Sequence, residues 1–118
     1  MTQEEKDLLL KDLCSRVPYG LICKSNSYKK ILFNSSHISL IETEEIKPYL
    51  FPMSSVTEEQ KSEFFDHFVK LELKYLNGEI KHSEIAQFEI DFYNKKHLDY
   101  RGLISKGLAL DATNLNIY

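Results

Sequence analysis

Near the head of the chain, apolar residues recur every three or four positions, at Leu9, Leu10, Leu13, Cys14 and Val17, which is the spacing of one face of an α-helix. Thr2 and Glu5 stand ahead of them as a capping box, each side chain able to satisfy a backbone N–H that the first turn leaves unpaired. Pro18-Tyr19-Gly20 then stops the helix. Beyond it the texture changes to short β-prone runs, 21–24, 28–33 and 36–41, divided by Ser25-Asn26-Ser27 and Asn34-Ser35. These runs predict an antiparallel meander. His37, Ser39 and Ile41 alternate with Ile38 and Leu40, giving one wetter face. Pro48 lacks a ladder donor and so places the run 46–52 at a sheet edge.

A second capping box, Thr57 with Gln60, opens a long helix carrying Phe64, Phe65, Phe68, Val69, Leu71, Leu73, Tyr75 and Leu76, and Asn77-Gly78 ends it. With each buried Phe or Leu worth roughly 1.5–3 kcal/mol, this helix is expected to supply most of the core. Residues 83–97 fit both periods: Ile85, Phe88 and Phe92 are helically spaced, while 88–92 also alternates. Length decides for a helix, because strands rarely pass ten residues. After Asp99 a short helix or irregular closing segment runs to Leu110, with Gly102 and Gly107 where positive φ is often needed. The reading is one α+β domain over residues 1–118, a small antiparallel β-meander packed against an N-terminal helix and one or two C-terminal helices.

A chain of 118 residues is long enough to bury one core without staples. Its net charge is −3, and its basic residues come as scattered pairs, Lys29-Lys30 and Lys95-Lys96. A nucleic-acid footprint needs a concentrated basic face, so that partner is disfavoured and stays only as a weak alternative through those four lysines. The opening residues show no signal pattern and no apolar run reaches membrane-spanning length, which makes a soluble, cytoplasmic protein with no membrane partner the expectation. Without a secretion signal Cys14 and Cys23 are expected reduced, as buried small hydrophobes.

Two stretches offer candidate chemistry. His97, Asp99, Tyr100 and Arg101 form a group that could bind an anion or perform acid–base work, since Arg presents a bidentate fork and His titrates near neutrality. The plainer alternative pairs Arg101 with an acidic side chain, fits Tyr100 into a groove and gives its hydroxyl a partner. Tyr49 and Phe51, in a run stiffened by Pro48 and Pro52, would anchor a partner if exposed, or else enter the core. Neither cysteine has a histidine at a spacing that marks a nucleophile, no Cys-x-x-Cys or His-x-x-x-His pair exists, and the glycines are too sparse for a phosphate loop. No catalytic, metal or cofactor residue is therefore assigned, and no cofactor is expected.

Three strings carry a resemblance: residues 8–20 (LLLKDLCSRVPYG), then 47–55 (KPYLFPMSS) with Thr57-Glu58-Glu59, and finally 99–104 (DYRGLI) with Gly107-Leu108-Ala109-Leu110. Together they resemble a family of short uncharacterised proteins of bacterial, phage and mobile-element genomes. The family's pattern has a basic residue where this chain has Phe51. The resemblance implies a setting and no activity, cofactor or catalytic residue. The function expected is a non-enzymatic protein-binding or adaptor role, with a protein partner or a homodimer. The competing class is a small-ligand protein or enzyme using His97, Asp99 and Arg101.

Overall fold

Both capping boxes form. In the computed structural model, which describes residues 1–118, the Glu5 N–H donates to Thr2 Oγ1 at 3.1 Å and the Thr2 N–H to Glu5 Oε1 at 2.9 Å, opening α1 (Gln3–Arg16). The same reciprocal pair between Thr57 and Gln60 opens the long α3 (Glu58–Leu76). A 3₁₀ turn, Val17–Tyr19, and the left-handed Gly20 (φ 73°) end the first helix. The stretch whose period was ambiguous is helical: α4 spans His82–Lys95. The remaining elements are β1 (Ile22–Ser25), β2 (Ile31–Leu32), the single-turn α2 (Ser39–Glu42), β3 (Ile46–Leu50) and β4 (Leu110–Asp111). The fold is α+β, with four helices and a four-stranded mixed sheet. No helix is long and apolar enough to cross a membrane.

The meander expectation needs correction. Strand order is β2-β1-β3-β4; β1 pairs antiparallel with β2 (Cys23 opposite Ile31) and with β3 (Lys24 opposite Lys47), but β4 joins β3 in parallel (Tyr49 opposite Leu110). The expected strand at 36–41 is instead a 3₁₀ turn running into α2. There Asn34 Oδ1 accepts from the Ser36 N–H (2.9 Å) and His37 Nδ1 accepts from the Asn34 N–H (3.2 Å), local bonds that outcompete a ladder. Nor is β3 an edge, although it contains Pro48. Leu50 accepts the Ala112 N–H on the β4 side, and alternate residues face the same way. The donorless nitrogen of Pro48 therefore points to the β4 side ahead of where β4 begins, and no ladder bond is lost.

The core draws on different residues from those expected. It is built from Leu9 and Leu13 of α1, Leu21, Cys23, Phe33, Ile46 and Leu50 of the sheet region, Ile41 of α2, and Leu103, Leu108 and Ala109 of the irregular segment before β4. No residue of α3 is fully buried. Its Phe64 and His67 face α4, where the Phe64 ring lies 5.3 Å from Phe88 and 5.1 Å from Phe92, and His67 stacks on Phe88 at 4.6 Å. The two helices thus make a hairpin whose aromatic seam is its own. The molecule is elongated, 51 × 29 × 23 Å with a radius of gyration of 15.9 Å, against about 13.5 Å for a compact chain of this length.

On α1 the buried stripe is Leu9, Asp12, Leu13 and Arg16, while Leu10, Cys14 and Val17 are exposed. Cys14 is thus not the buried hydrophobe expected, whereas Cys23 is, and burial pushes its thiol pKa up. A maleimide probe should accordingly label one thiol per native chain rapidly at neutral pH, and mass mapping should place it on Cys14. Cys23 should react only on unfolding; rapid modification of both thiols would contradict this packing.

Candidate functional site

The C-terminal end of α4 organises the region. His97 adopts φ 58°, its N–H donates to the Asn94 carbonyl (3.1 Å) and the Leu98 N–H to the Tyr93 carbonyl (2.9 Å), the paired bonds of a Schellman close. Glycine usually fills that left-handed position, so a histidine there sits at a conformational cost. The chain then runs alongside Phe51 in a parallel bridge: the Phe51 N–H donates to the His97 carbonyl at 2.8 Å and the Asp99 N–H to the Phe51 carbonyl at 2.9 Å. Backbone pairing thereby brings three of the sequence candidates, Phe51, His97 and Asp99, side by side.

Arg101 and Tyr100 meet a different group. Arg16, fully buried, donates from Nε and Nη2 to the two oxygens of the equally buried Asp12 (2.9 and 3.1 Å), and Nη2 also reaches the Leu98 carbonyl at 2.7 Å. Arg101 Nη1 donates to Asp12 Oδ1 at 2.8 Å and to Ser15 Oγ at 3.3 Å. The Tyr100 ring lies within cation–π reach of both guanidinium groups, 4.6 Å from Arg101 and 5.3 Å from Arg16. Asp99 accepts the N–H groups of Leu103 (2.7 Å) and Ile104 (2.9 Å), which folds the turn that starts the closing segment. The ion pair expected of Arg101 is present, and Tyr100 packs as expected, but its buried hydroxyl has no hydrogen-bond partner.

His97 stacks on Tyr118, ring centroids 3.6 Å apart and nearly parallel. The Tyr118 hydroxyl in turn lies 2.8 Å from the Tyr49 carbonyl and accepts the Ile22 N–H at 3.0 Å, tying the stack to β1 and β3. Burial, with the nearby Arg16 charge, pushes the His97 pKa down to about 4, so the ring is neutral at pH 7. Tyr49 is buried, its hydroxyl donating to the Lys29 carbonyl at 2.9 Å, and Phe51 is half-buried, 5.9 Å from the Tyr118 ring. The proline-bracketed run thus enters the sheet.

Chemically, this arrangement holds the chain together. The carboxylates of Asp12 and Asp99 and both guanidinium groups are hydrogen-bonded and the His97 ring is stacked, while Arg16 Nη1 and His97 Nδ1 are buried without a hydrogen-bond partner. No three His, Cys, Asp or Glu side chains are grouped to hold a metal. Two open cavities border this region, one of about 300 Å³ lined by Phe51, Ser55, Thr57, Gln60, Leu98, Thr113 and Asn114 and a shallower one of about 540 Å³ lined by Met53, Ala86, Glu89, Ile90, Tyr93 and Tyr100. A third of about 240 Å³ lies away from it, lined by Tyr19, Glu63, His67, Phe88, Asp91, Phe92 and Lys95. Sequence reasoning missed Asp12, Arg16 and Tyr118. The first two carried a signal, an oppositely charged i,i+4 pair interleaved with the most buried leucines of α1. Tyr118 carried none. Compared with family models, curated proteins and solved structures, the chain matches none.

Asp12→Ala should lower stability by about 3–5 kcal/mol, since it strands a buried arginine, and a urea denaturation midpoint measures it; a loss under about 1 kcal/mol would deny the cluster its structural weight. His97 gives a pH signature. Its folded pKa lies below the ordinary 6.5, so below pH 6.5 the unfolded chain takes up a proton that the folded chain refuses until about pH 4. Stability is full above 6.5 and falls by roughly 3 kcal/mol across that window. His97→Asn, which tolerates the left-handed backbone, should remove that part of the pH dependence in urea melts at pH 7.5 and 4.5.

Proposed function

We propose that the protein is a non-enzymatic protein-binding module and that its contact surface is the α3–α4 hairpin. The observation that carries this reading is the outer face of α3, where Phe65, Leu73 and Leu76 are 64%, 57% and 76% exposed. Large apolar side chains grouped on one helix face mark interaction surfaces far more often than scattered ones do. Engagement of His97, Asp99, Tyr100 and Arg101 in packing and hydrogen bonds supports a surface over a reactive centre. The basic pairs are also placed apart, Lys29-Lys30 ahead of the edge strand β2 and Lys95-Lys96 at the end of α4. Lys96 is engaged with Glu63 at 3.0 Å. The likeness to phage and mobile-element proteins belongs to the same proposal, as its setting.

A photo-crosslinking residue at position 65 or 73 should capture protein, while the same residue at the exposed Lys24 or Lys106 should not. Equal capture from all four positions, or none from the hairpin, would remove the hairpin from this role.

A further inference from the structure

The partner that the outer face of α3 fits is a second copy of this chain. At 100° per residue, Phe65, Val69, Leu73 and Leu76 fall within about 80° of one another on the helix. That stripe faces away from the aromatics turned toward α4. It runs over the 12 residues from Phe65 to Leu76, about 18 Å and some three turns of a two-helix seam.

The charges beside the stripe say which orientation it takes. Glu59, Asp66, Lys70 and Lys74 line one flank, acidic in the first half of the helix and basic in the second, and none makes an ion pair within the chain. The other flank reads in the opposite sense, Lys61 early and Glu72 late. In an antiparallel pair related by a two-fold axis, each flank meets the same flank of its partner. Acidic half then meets basic half on one side, and Lys61 lies toward Glu72 on the other. A register centred on Val69 sets Phe65 opposite Leu73 of the second copy and places Asp66 between the second copy's Lys70 and Lys74.

We propose that the protein forms an antiparallel two-fold dimer through α3, centred on Val69, with Phe65 against Leu73 and Asp66 against Lys70 and Lys74. This rests on the hairpin being a protein-binding surface, and it names the protein bound. The seam is a single helix face, at the small end of specific interfaces, so the dimer dissociates on dilution.

Sedimentation equilibrium of the purified chain should show mass rising with concentration from 13.8 kDa toward twice that value. Phe65→Glu should hold it at the monomer. Asp66→Lys should weaken association about tenfold, because the symmetric dimer carries the change twice, and adding Lys70→Glu with Lys74→Glu should restore it. In a Cys14→Ser background, mixing Phe65→Cys and Leu73→Cys chains under mild oxidation should give the mixed disulfide in preference to either homodimer. These exposed positions leave the core untouched, which circular dichroism of each variant checks. A monomer at every concentration, or a dimer that crosslinks 65 to 65, overturns the proposal. A monomer whose position 65 still crosslinks to a different protein overturns the dimer alone and leaves the binding role standing.

Discussion

The fold turns on one buried carboxylate. Asp12 receives both Arg16 and Arg101, and Arg16 extends past it to the Leu98 carbonyl, so two paired side chains of α1 reach two places in the segment after α4. That segment has no regular structure of its own until β4, and it has to be held in register before Leu103, Leu108 and Ala109 can complete the core. A buried ion pair gives little net stability over a well-packed apolar replacement, because desolvation offsets most of the Coulomb attraction. What it supplies is direction. Leucines in its place would be indifferent to a residue of slippage, whereas the bonds from Arg16 to the Leu98 carbonyl (2.7 Å) and from Arg101 to Asp12 (2.8 Å) would both be lost by one.

The same logic explains why the chain tolerates a histidine where helices usually end on glycine. A glycine at position 97 would relieve the left-handed backbone, but it would give up the ring stacked on Tyr118, and with it the link from the end of α4 to β1 and β3. Lost hydration of the ring lowers its pKa, which keeps it uncharged beside Arg16. An imidazole seen in a sequence beside Asp and Arg suggests proton transfer. Here the environment that shifts its titration is also the one that encloses it.

Local signals were legible and partition was not. The capping boxes at Thr2 and Thr57, the stops at Gly20 and Gly78 and the helical nature of residues 82–95 all follow from contacts within a few residues, and the structure has each of them. Positive φ at Gly102 and Gly107 was legible for the same reason. Residues 36–41 were misread as a strand because Asn34-Ser35 was weighed only as a divider between β-prone runs and not as the cap of a helical turn. β4 is two residues long and leaves no periodic trace; only its pairing with Tyr49 and Leu50 defines it. Among the candidate residues, the ion pair of Arg101 was foreseen as a type of contact, but its partner lies 89 positions away on α1, beyond any spacing rule.

How the apolar residues are shared out is the part no local pattern contains. α3 is the richest helix in Phe and Leu, and a count of hydrophobicity assigns it to the core; yet the core is closed by Leu103, Leu108, Ala109 and Ala112 from a stretch with no amphipathic repeat. The reason is geometric. β4 and the Phe51–Leu98 bridge carry the closing segment along β3, and the turn folded by Asp99 puts its leucines against α1. α3 then has only α4 to pack on, and one neighbour covers one face. A helix with apolar residues on two faces and a neighbour on one leaves the second in water at about 25 cal/mol for each Å² of apolar surface. That unmet burial makes the outer stripe of α3, and not the ionisable residues near His97, the place where this chain has most to gain from contact.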